Sequence, residues 1–406
     1  MYYIEKIIFF ISFIFLSSPT QAKDIDRKIF FSSKSKQTIN HGGHKDPSNK
    51  TIFGINFNSK SSGFETNINI KSFDANKFLL NESYIQKSSN NKTFGIGLID
   101  RNWSFSTKTS LILSSNAQPF KSIYFKFHEN DELSENWLSS IKNTTLEVLN
   151  GINKDPESPN NSQIFGIRLS FSPVENLEIE ALRISQWGGD GYNNKPSAIL
   201  KSLINDTNNG DHRNINQLAG FGLSYKLPKT VLPIRVYAQI AGEDEAGNLP
   251  SCLMYLGGAD IQKLIFGKPS NIGLEMIDTT IDFTENGNCG PNTAYNNTIY
   301  KYANHGVSMG APIDTEGKSI EFYGSTTLSS SLIAEISIKK LLINSDNFKE
   351  HRLSSTKKDG WLSSTGITWK NKNINILAEL SYQSFSLEKI KSSNGISFSI
   401  SSGINF

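Results

Sequence analysis

The sequence NQLAGFGLSYKLP at residues 216–228, followed by PIRVYAQIAGEDEAGNLP at residues 233–250, decides the fold. Apolar side chains occupy every second position of both stretches, as Phe221, Leu223 and Tyr225 do in the first. A period of two is that of β-strands with one apolar and one polar face. The connection between the two stretches is short, which predicts an antiparallel hairpin.

The same alternation recurs along most of the chain. Its clearest apolar sets are Phe53/Ile55/Phe57, Phe94/Ile96/Leu98, Leu111/Leu113, Ile123/Phe125/Phe127, Phe165/Ile167/Leu169, Ile272/Leu274/Met276, Ile374/Ile376/Ala378 and Ile396/Phe398/Ile400. One apolar face for each strand, with short turns at one end and long loops at the other, is typical of a transmembrane β-barrel. We therefore predict an all-β, antiparallel outer-membrane barrel over residues 51–406, with short periplasmic turns and long extracellular loops. The final alternating strand ends on Phe406 and resembles the terminal strand that the barrel-insertion machinery reads, so we expect that machinery as a partner during biogenesis.

The first 50 residues divide into two predicted segments. Residues 1–22 combine an apolar core that is too short to span a bilayer with small residues ending at Ala22, which predicts a cleaved signal peptide. Residues 23–50 are poor in apolar side chains after Phe31 and are predicted to be a polar, mobile N-terminal segment. The pair His41 and His44 could bind a metal, but a solvated segment is the better interpretation. An exported chain without a spanning helix is either soluble outside the inner membrane or a barrel. With the barrel pattern above, we expect the outer membrane of a Gram-negative bacterium, in contact with outer-membrane lipid.

Composition argues against several classes of function. The chain has 41 Lys and Arg against 38 Asp and Glu, a net charge of +3, which is no nucleic-acid footprint. It contains no nucleophile elbow, no HExxH zinc motif and no phosphate-binding P-loop, so we predict no enzyme activity, no cofactor and no metal site. The acidic run Glu243–Glu245 could supply the paired carboxylates of a glycosidase. Adjacent loop carboxylates are more commonly solvated or bound to donors.

A series of motifs resembles one known family. In chain order the motifs are DRNW at 100–103, SLILSSNA at 110–117, FSPVENLEI at 171–179, QWGGDG at 186–191, NQLAGF at 216–221 and GEDEAG at 242–247. Their order and their residues resemble the motifs of the Wzi family of outer-membrane capsule-assembly proteins, over about residues 81–406. The resemblance implies a monomeric, eighteen-stranded barrel that helps to hold capsular polysaccharide, or a related exopolysaccharide, at the cell surface without being an enzyme. A diffusion porin and a glycan hydrolase are the alternatives.

Polar and aromatic residues near the long-loop end form the candidate polysaccharide-binding set. Sugar sites combine aromatic faces with planar polar groups, and both types occur among Trp187, Asp190, Tyr192, Gln217, Glu243, Asp244 and Asn248. Alternatively, Trp187 belongs to the aromatic girdle of the barrel and the Gly-Asp motifs only shape rigid loops.

Charged residues on alternate strand positions are predicted to point into the lumen. A charge on the lipid face would cost roughly 2–4 kcal/mol near the midplane, so a mixed-charge interior is favoured. The predicted lumen network consists of Arg168, Glu178, Glu180, Arg183, Arg235, Glu275 and Glu379. Including Arg183 requires a change of phase near residues 182–184, which predicts a β-bulge there.

The two cysteines lie in neighbouring loop regions. Cys252 follows the GEDEAG motif, and Cys289 lies in the next long loop. In an oxidising compartment these loops could be joined by a disulfide, or the residues could be two free thiols. Relatives in the resembling family often carry a His two residues after a Tyr in this loop, whereas the residue two after Tyr295 here is Asn297. The change implies either a different glycan or the loss of a structural role.

Overall fold

The computed structural model describes residues 24–35, 51–74, 77–129, 142–197, 199, 215–228, 233–246, 249–284 and 289–406. The predicted signal peptide at 1–22, the His41 and His44 pair, and Asn248 lie outside these residues. Within them, no helix is long and apolar enough to cross a membrane.

The described residues are organised as antiparallel β-strands. Their bounds are β1 Asp24–Lys34, β2 Ile52–Ser61, β3 Phe64–Asp74, β4 Lys77–Leu79, β5 Tyr84–Ser89, β6 Lys92–Leu98, β7 Lys121–Glu129, β8 Lys142–Ile152, β9 Gln163–Val174, β10 Leu177–Trp187, β11 Asn216–Lys226, β12 Ile234–Ala246, β13 Leu249–Ile265, β14 Lys268–Asp278, β15 Ala303–Asn304, β16 Val307–Ser308, β17 Lys318–Ser329, β18 Leu332–Ile343, β19 Lys358–Lys370, β20 Ile374–Gln383 and β21 Gly395–Asn405.

Eighteen of these strands close into a single barrel, as predicted. Each wall strand pairs with its neighbours in sequence, and β1 closes the ring by pairing with both β2 and β21. The short β4 only extends the end of β3, and β15 and β16 form a separate small hairpin inside a loop. Because no edge is left open, every strand of the wall has two hydrogen-bonded neighbours, which is the requirement for crossing a bilayer.

The first strand corrects the predicted N-terminal boundary. Residues 24–34 were assigned to a polar, mobile segment, but they form β1, with Ile29 opposite both Ile55 of β2 and Ile404 of β21. The outward faces of Ile25 and Ile29 are 41% and 44% exposed, as lipid-facing side chains are. The alternation escaped detection because four of the first five residues of the strand are charged.

The two faces of the wall have opposite polarity. On β12, Ile240 is 41% exposed on the outside, whereas the adjacent Gln239 is 1% exposed and points inward. On β11, Phe221 and Leu223 face outward while Ser224 is fully buried on the lumen side. An apolar outer face around a polar interior is unfavourable in water and is the arrangement of a membrane-spanning barrel.

The prediction for Arg183 was wrong. β10 keeps its alternation without interruption, so Glu180 and Leu182 are buried on the lumen side and Arg183 lies on the outer face. There its guanidinium donates to the side-chain oxygen of Gln217, at 2.7 Å from Nε. The register shift that β10 does have lies at its other end, between Leu177 and Ile179. The hydrogen bond to Gln217 offsets the cost of desolvating the Arg183 guanidinium on the outer face. No β-bulge is therefore needed to turn this side chain inward.

The segment 99–120 between β6 and β7 corrects a second expectation. Leu111 and Leu113 were predicted to mark a strand, but this segment leaves the wall and folds into the lumen, where Trp103, Leu111 and Ile112 are at most 1% exposed. A side chain at Gly166 of β9 would come within 2.8 Å of the Trp103 ring, so a glycine is needed there. The segment supplies the hydrophobic core of the barrel interior, and we call it the lumen segment.

Candidate functional site

The long-loop end of the barrel carries the candidate site. The connections that leave the wall there include 153–162, 188–215, 279–317, 344–357 and 384–394, while the opposite end has turns such as 175–176 and 266–267. In outer-membrane barrels the long loops are extracellular. The conformations of these loops therefore determine what the protein presents outside the cell.

The 279–317 loop packs directly on the lumen segment. The Tyr295 hydroxyl donates to the carbonyl of Leu111 at 2.6 Å, and the Tyr302 hydroxyl donates to the carbonyl of Ile112 at 2.7 Å. Both tyrosines are fully buried. Asn116 in turn donates to the carbonyl of Ser308 at 2.8 Å. Loop and lumen segment therefore form one packed body, which we call the platform.

A third tyrosine connects the platform to the β10 end of the wall. The Tyr300 hydroxyl donates to the carbonyl of Gly188 at 2.8 Å, within the QWGGDG motif. Gln186 donates to the carbonyl of Lys301 at 2.9 Å, and Asn216 donates to Gln186 at 3.0 Å. Burial raises the pKa of Tyr300 and of Tyr302, so these hydroxyls keep their protons and remain donors.

Asn297 has a local structural role. Its side-chain oxygen accepts hydrogen bonds from the backbone N–H groups of Ile299 and Tyr300, at 2.9 and 3.1 Å. This geometry fixes the turn that delivers Tyr300 to its site. Asn can make this contact because its oxygen reaches its own backbone two residues on.

The predicted binding residues do not form one exposed surface. Trp187 is 3% exposed and Glu243 is 7% exposed. The Glu243 carboxylate accepts the backbone N–H of Tyr295 at 3.0 Å, so it holds the 279–317 loop to β12. Gln217 lies on the outer face of the wall beside Arg183.

Two predicted residues do face solvent at the rim. Asp190 is exposed, with its backbone N–H donating to the carbonyl of Asn160 at 2.9 Å. Tyr192 is half-buried, and its ring centroid lies 5.8 Å from that of Tyr300. The side chain of Asp244 and the whole of Asn248 lie outside the described residues, so the structure does not place them.

Six of the seven predicted lumen charges belong to inward positions of the wall. Arg168 pairs with Glu180 at 2.7 Å, and Arg235 pairs with Asp260. Glu178 shares the inward face of β10 with Glu180, and Glu379 occupies an inward position of β20. These positions give the wall a mixed-charge inner face.

Part of this charge network holds the lumen segment in place. The Arg235 guanidinium donates to the carbonyl of Phe105 at 2.9 Å, and Glu275 accepts the Ser106 hydroxyl together with that of Tyr237, the latter at 2.9 Å. These contacts cross from β12 and β14 into the lumen. Removing Arg235 would leave the buried Asp260 carboxylate without its cation.

The motif DRNW contributes a buried ion pair that anchors the segment. Arg101 pairs with Glu147 of β8 at 2.7 Å, and the Trp103 indole N–H donates to the other oxygen of the same carboxylate at 3.1 Å. Lys126 approaches Glu147 at 3.7 Å from β7. Sequence reasoning placed DRNW among the family motifs but missed this role, because Glu147 lies more than 40 residues away in an unremarkable strand.

A disulfide joins the 279–317 loop to the wall. Cys252 of β13 is bonded to Cys289, and their Cα atoms are 5.3 Å apart. Cys252 therefore lies in a wall strand and Cys289 in the loop that follows β14. The 279–317 loop is thus held by Cys289 near its beginning and by Tyr295 and Tyr302 further on.

One exposed aromatic side chain was missed by the sequence analysis. Phe283 is 82% exposed within the 279–317 loop, and its ring packs beside Gly290, where a side chain would come within 2.8 Å of it. Gly290 follows the disulfide-bonded Cys289. The only sequence signal was an isolated Phe in a polar loop, which has no period and so escaped notice.

The titratable side chains of the described residues were compared with the requirements of a metal site. No group of three or more His, Cys, Asp or Glu side chains is placed there to hold a metal ion. His351 is 1% exposed and donates from Nε2 to the carbonyl of Thr315 at 3.0 Å. Its other ring nitrogen accepts the backbone N–H of Leu353 at 3.1 Å, so both nitrogens have structural partners.

Comparison with solved structures establishes the fold independently. Wzi of Escherichia coli, described as an outer-membrane protein involved in group 1 capsule assembly and as a carbohydrate-binding β-barrel, is 22% identical, covers 95% of this chain and 85% of its own, and superposes with a TM-score of 0.78. OccD3 (OpdP) of Pseudomonas aeruginosa is 8% identical over 95% of this chain and 92% of its own, with a TM-score of 0.50. Both similarities support the β-barrel fold.

Sequence comparison identifies the family. A Klebsiella pneumoniae protein, described as an uncharacterized 55.8 kDa protein in the cps region, is 27% identical over 226 residues, which cover 54% of this chain and 45% of that protein. The chain therefore spans less than half the length of that relative. The family model described as capsule assembly protein Wzi matches residues 28–396. This chain belongs to the Wzi family of capsule assembly proteins, and it is an outer-membrane β-barrel.

Proposed function

We propose that this protein is a lectin-like, non-enzymatic outer-membrane protein that retains capsular polysaccharide, or a related exopolysaccharide, at the cell surface. The observation that carries the proposal is the platform. Loop 279–317 is bonded into the lumen segment through buried tyrosines, so the extracellular end presents a fixed surface. A preorganised surface binds a polymer at a lower entropic cost than mobile loops do.

Exposed groups on this surface suit sugar rings. Phe283 and Tyr192 offer aromatic faces, and Asp190 offers a carboxylate to hydroxyl groups. Tyr192 rests against the fixed ring of Tyr300, which limits its motion. We propose that Phe283, Tyr192 and Asp190 touch the polymer directly.

The buried members of the predicted set take a supporting role in this proposal. Glu243 fixes Tyr295, and Trp187 ends β10 just before the Gly188 carbonyl that receives Tyr300. Their substitution would then disturb the platform as a whole. Gln217 supports Arg183 on the outer wall, and Asp244 and Asn248 stay candidates for direct contact.

The family is described as that of the capsule assembly protein Wzi. The Escherichia coli protein is described as a carbohydrate-binding β-barrel involved in group 1 capsule assembly. The absence of catalysis in this chain is our proposal. It is supported by Glu243, whose buried carboxylate is committed to a backbone N–H. Incubation of the purified protein with capsule would leave the polymer length unchanged, and progressive shortening would overturn this part.

Gene deletion tests the main proposal. We expect total polysaccharide to hold while the polymer shifts from the cells to the medium, as measured by quantifying both fractions. Complementation with Phe283→Ala or Tyr192→Ala should restore retention only in part. Phe266→Ala is the matched control, because Phe266 is 100% exposed but lies in the short turn at the opposite end. If deletion changes neither fraction, the proposed function fails.

A further inference from the structure

A cleft in the outer wall suggests a second binding site that is independent of the polysaccharide platform. It has a volume of about 350 Å³ and lies near the extracellular ends of β13, β14, β17 and β18. Its apolar lining includes Tyr255, Met276 and Ile320, which are 41–49% exposed on the lipid-facing side. Ligand pockets span roughly 300–1,000 Å³, so the cleft can hold part of a lipid.

A glycine opens the cleft. Gly257 faces outward between Tyr255 and Ala259, and a Cβ built on it would meet only the Tyr237 carbonyl oxygen, at 3.8 Å. Tyr255, two residues before Gly257 on β13, and Met276, opposite Gly257 on β14, project outward beside this gap. An empty gap would lose dispersion contacts with the surrounding lipid tails, so an acyl chain is the natural occupant of an apolar cleft on this face.

Charged side chains line the extracellular end of the cleft. Lys318 pairs with Asp278 at 2.9 Å, and Lys340 pairs with Asp359 of the neighbouring β19. Lys340 also lies 5.4 Å from the centre of the Trp361 ring, which is half-exposed on the outer wall. Tryptophan prefers the membrane–water interface, so Trp361 marks the headgroup level.

Alternating lysines and aspartates fit a phosphorylated sugar better than a simple phosphate. Each ammonium group has three N–H donors, so Lys318 and Lys340 can each bind a phosphate oxygen while keeping an aspartate partner. The carboxylates of Asp278 and Asp359 can accept hydrogen bonds from sugar hydroxyls. This row stands directly above the apolar cleft.

We infer that this cleft binds the phosphate-bearing, multi-acylated glycolipid of the outer leaflet, with an acyl chain over Gly257 and the phosphosugar at Lys318 and Lys340. Such a contact would fix the barrel in the leaflet from which its loops project. It uses none of the residues proposed to touch the polysaccharide.

Native mass spectrometry of the full-length protein in mild detergent tests the inference. Purified phosphorylated lipid A glycolipid is the probe, and its dephosphorylated form and a glycerophospholipid are the comparison ligands. We expect Lys318→Gln and Lys340→Gln to weaken binding of the phosphorylated probe by roughly five-fold for each lysine removed. Lys263→Gln is the control, because Lys263 is exposed at the opposite end of β13.

A second variant separates the cleft from the charges. Gly257→Leu fills the cleft and should displace the acyl chain, whereas Gly324→Leu is the matched control on the same outer wall, where an added Cβ meets only ordinary contacts at 3.6–3.8 Å. Folding of every variant is verified by the heat-dependent shift in electrophoretic mobility.

Three outcomes would overturn the inference. They are equal binding by the glycerophospholipid, unchanged binding in folded Gly257→Leu, and a change of oligomeric mass in that variant without loss of glycolipid, which would make the cleft a contact between protein copies. Surface retention of polysaccharide is measured in parallel, so a failure here is distinct from a failure of the proposed function.

Discussion

Burial decides the role of individual residues in this barrel more than residue type does. Glu147, Glu180 and Glu275 are at most 6% exposed, yet each accepts from a cation or hydroxyl donor placed opposite it. Arg183 has the same chemistry as Arg168 but lies one position out of phase and so faces the outside. A single step along a strand is enough to exchange lumen for lipid.

His351 provides a residue-level prediction of pH dependence. Burial lowers the pKa of His351, and the nearby Arg352 lowers this pKa further. Asp314, the Thr315 carbonyl and Glu316 act in the opposite direction. In the unfolded chain the His351 imidazole binds a proton at a pH of about 6.5, whereas in the folded chain it does so only at a lower pH. The stability that neutral His351 contributes is therefore present above about pH 6.5 and is lost as the pH falls below it.

We therefore expect the 344–357 loop to become more sensitive to protease as the pH falls through about 6.5. Limited proteolysis over a pH series measures this. His351→Gln cannot titrate and should flatten the dependence, although it can lower stability at every pH. An unchanged slope in His351→Gln would assign the effect to another group.

At the scale of elements, the strands and the loops obey different rules. A wall strand needs only a period of two and a partner on each side, so the lipid face of β11 or β21 follows from local sequence. The 279–317 loop has no period and is held by contacts with Leu111, Ile112 and Cys252, which are distant in the chain.

The lipid face of a strand is testable by a charge. Leu274 lies mid-strand on the outward side of β14. We expect Leu274→Arg to lower the free energy of unfolding in vesicles by roughly 2–4 kcal/mol. Ser325→Arg on the lumen side of β17 is the control and should cost much less, since water reaches that face. Equal costs would show that the assigned faces are wrong.

The disulfide provides a second prediction at this scale. Cys252 and Cys289 are 37 residues apart, and cross-linking a loop of that length removes about 4 kcal/mol of chain entropy from the unfolded state. We expect the double Cys→Ser variant to keep its barrel but to lose protease resistance in the 279–317 loop. Thiol labelling of the wild-type protein provides the control, and two reactive thiols there would contradict the disulfide.

At the scale of the whole molecule, the lumen segment separates this barrel from an open pore. Arg101 and Trp103 converge on Glu147, and Arg235 holds the Phe105 carbonyl. Breaking a buried ion pair by removing one partner costs roughly 3–5 kcal/mol. The segment therefore stays in place only while its anchors are complete.

Conductance across a planar bilayer tests this arrangement. We expect little steady current through the wild-type protein and larger, fluctuating currents through Glu147→Gln, which cannot neutralise Arg101 and Lys126. Glu335→Gln, at an exposed inward position of β18, should behave like wild type. A large steady conductance in wild type would favour a diffusion porin.

The barrel itself could be predicted from the sequence alone. Alternation in stretches such as 216–226 and 395–405 fixes which face meets lipid, because the period of a strand is a local property. The motif series added the family and the strand number. Charge on alternate positions also placed Arg168, Glu180 and Arg235 in the lumen.

The interior and the platform were decided only by the tertiary structure. Leu111 and Leu113 alternate as a strand would, yet they fill the lumen, because the contacts that hold their segment come from distant parts of the chain. Tyr295 of the 279–317 loop donates to the Leu111 carbonyl, and Gly166 of β9 makes room for the ring of Trp103 in the same segment. β1 was missed because its charges hide the alternation that β2 and β21 complete. A local pattern states which face of a strand is apolar, but the burial of an aperiodic segment depends on contacts that form only when the barrel closes around it.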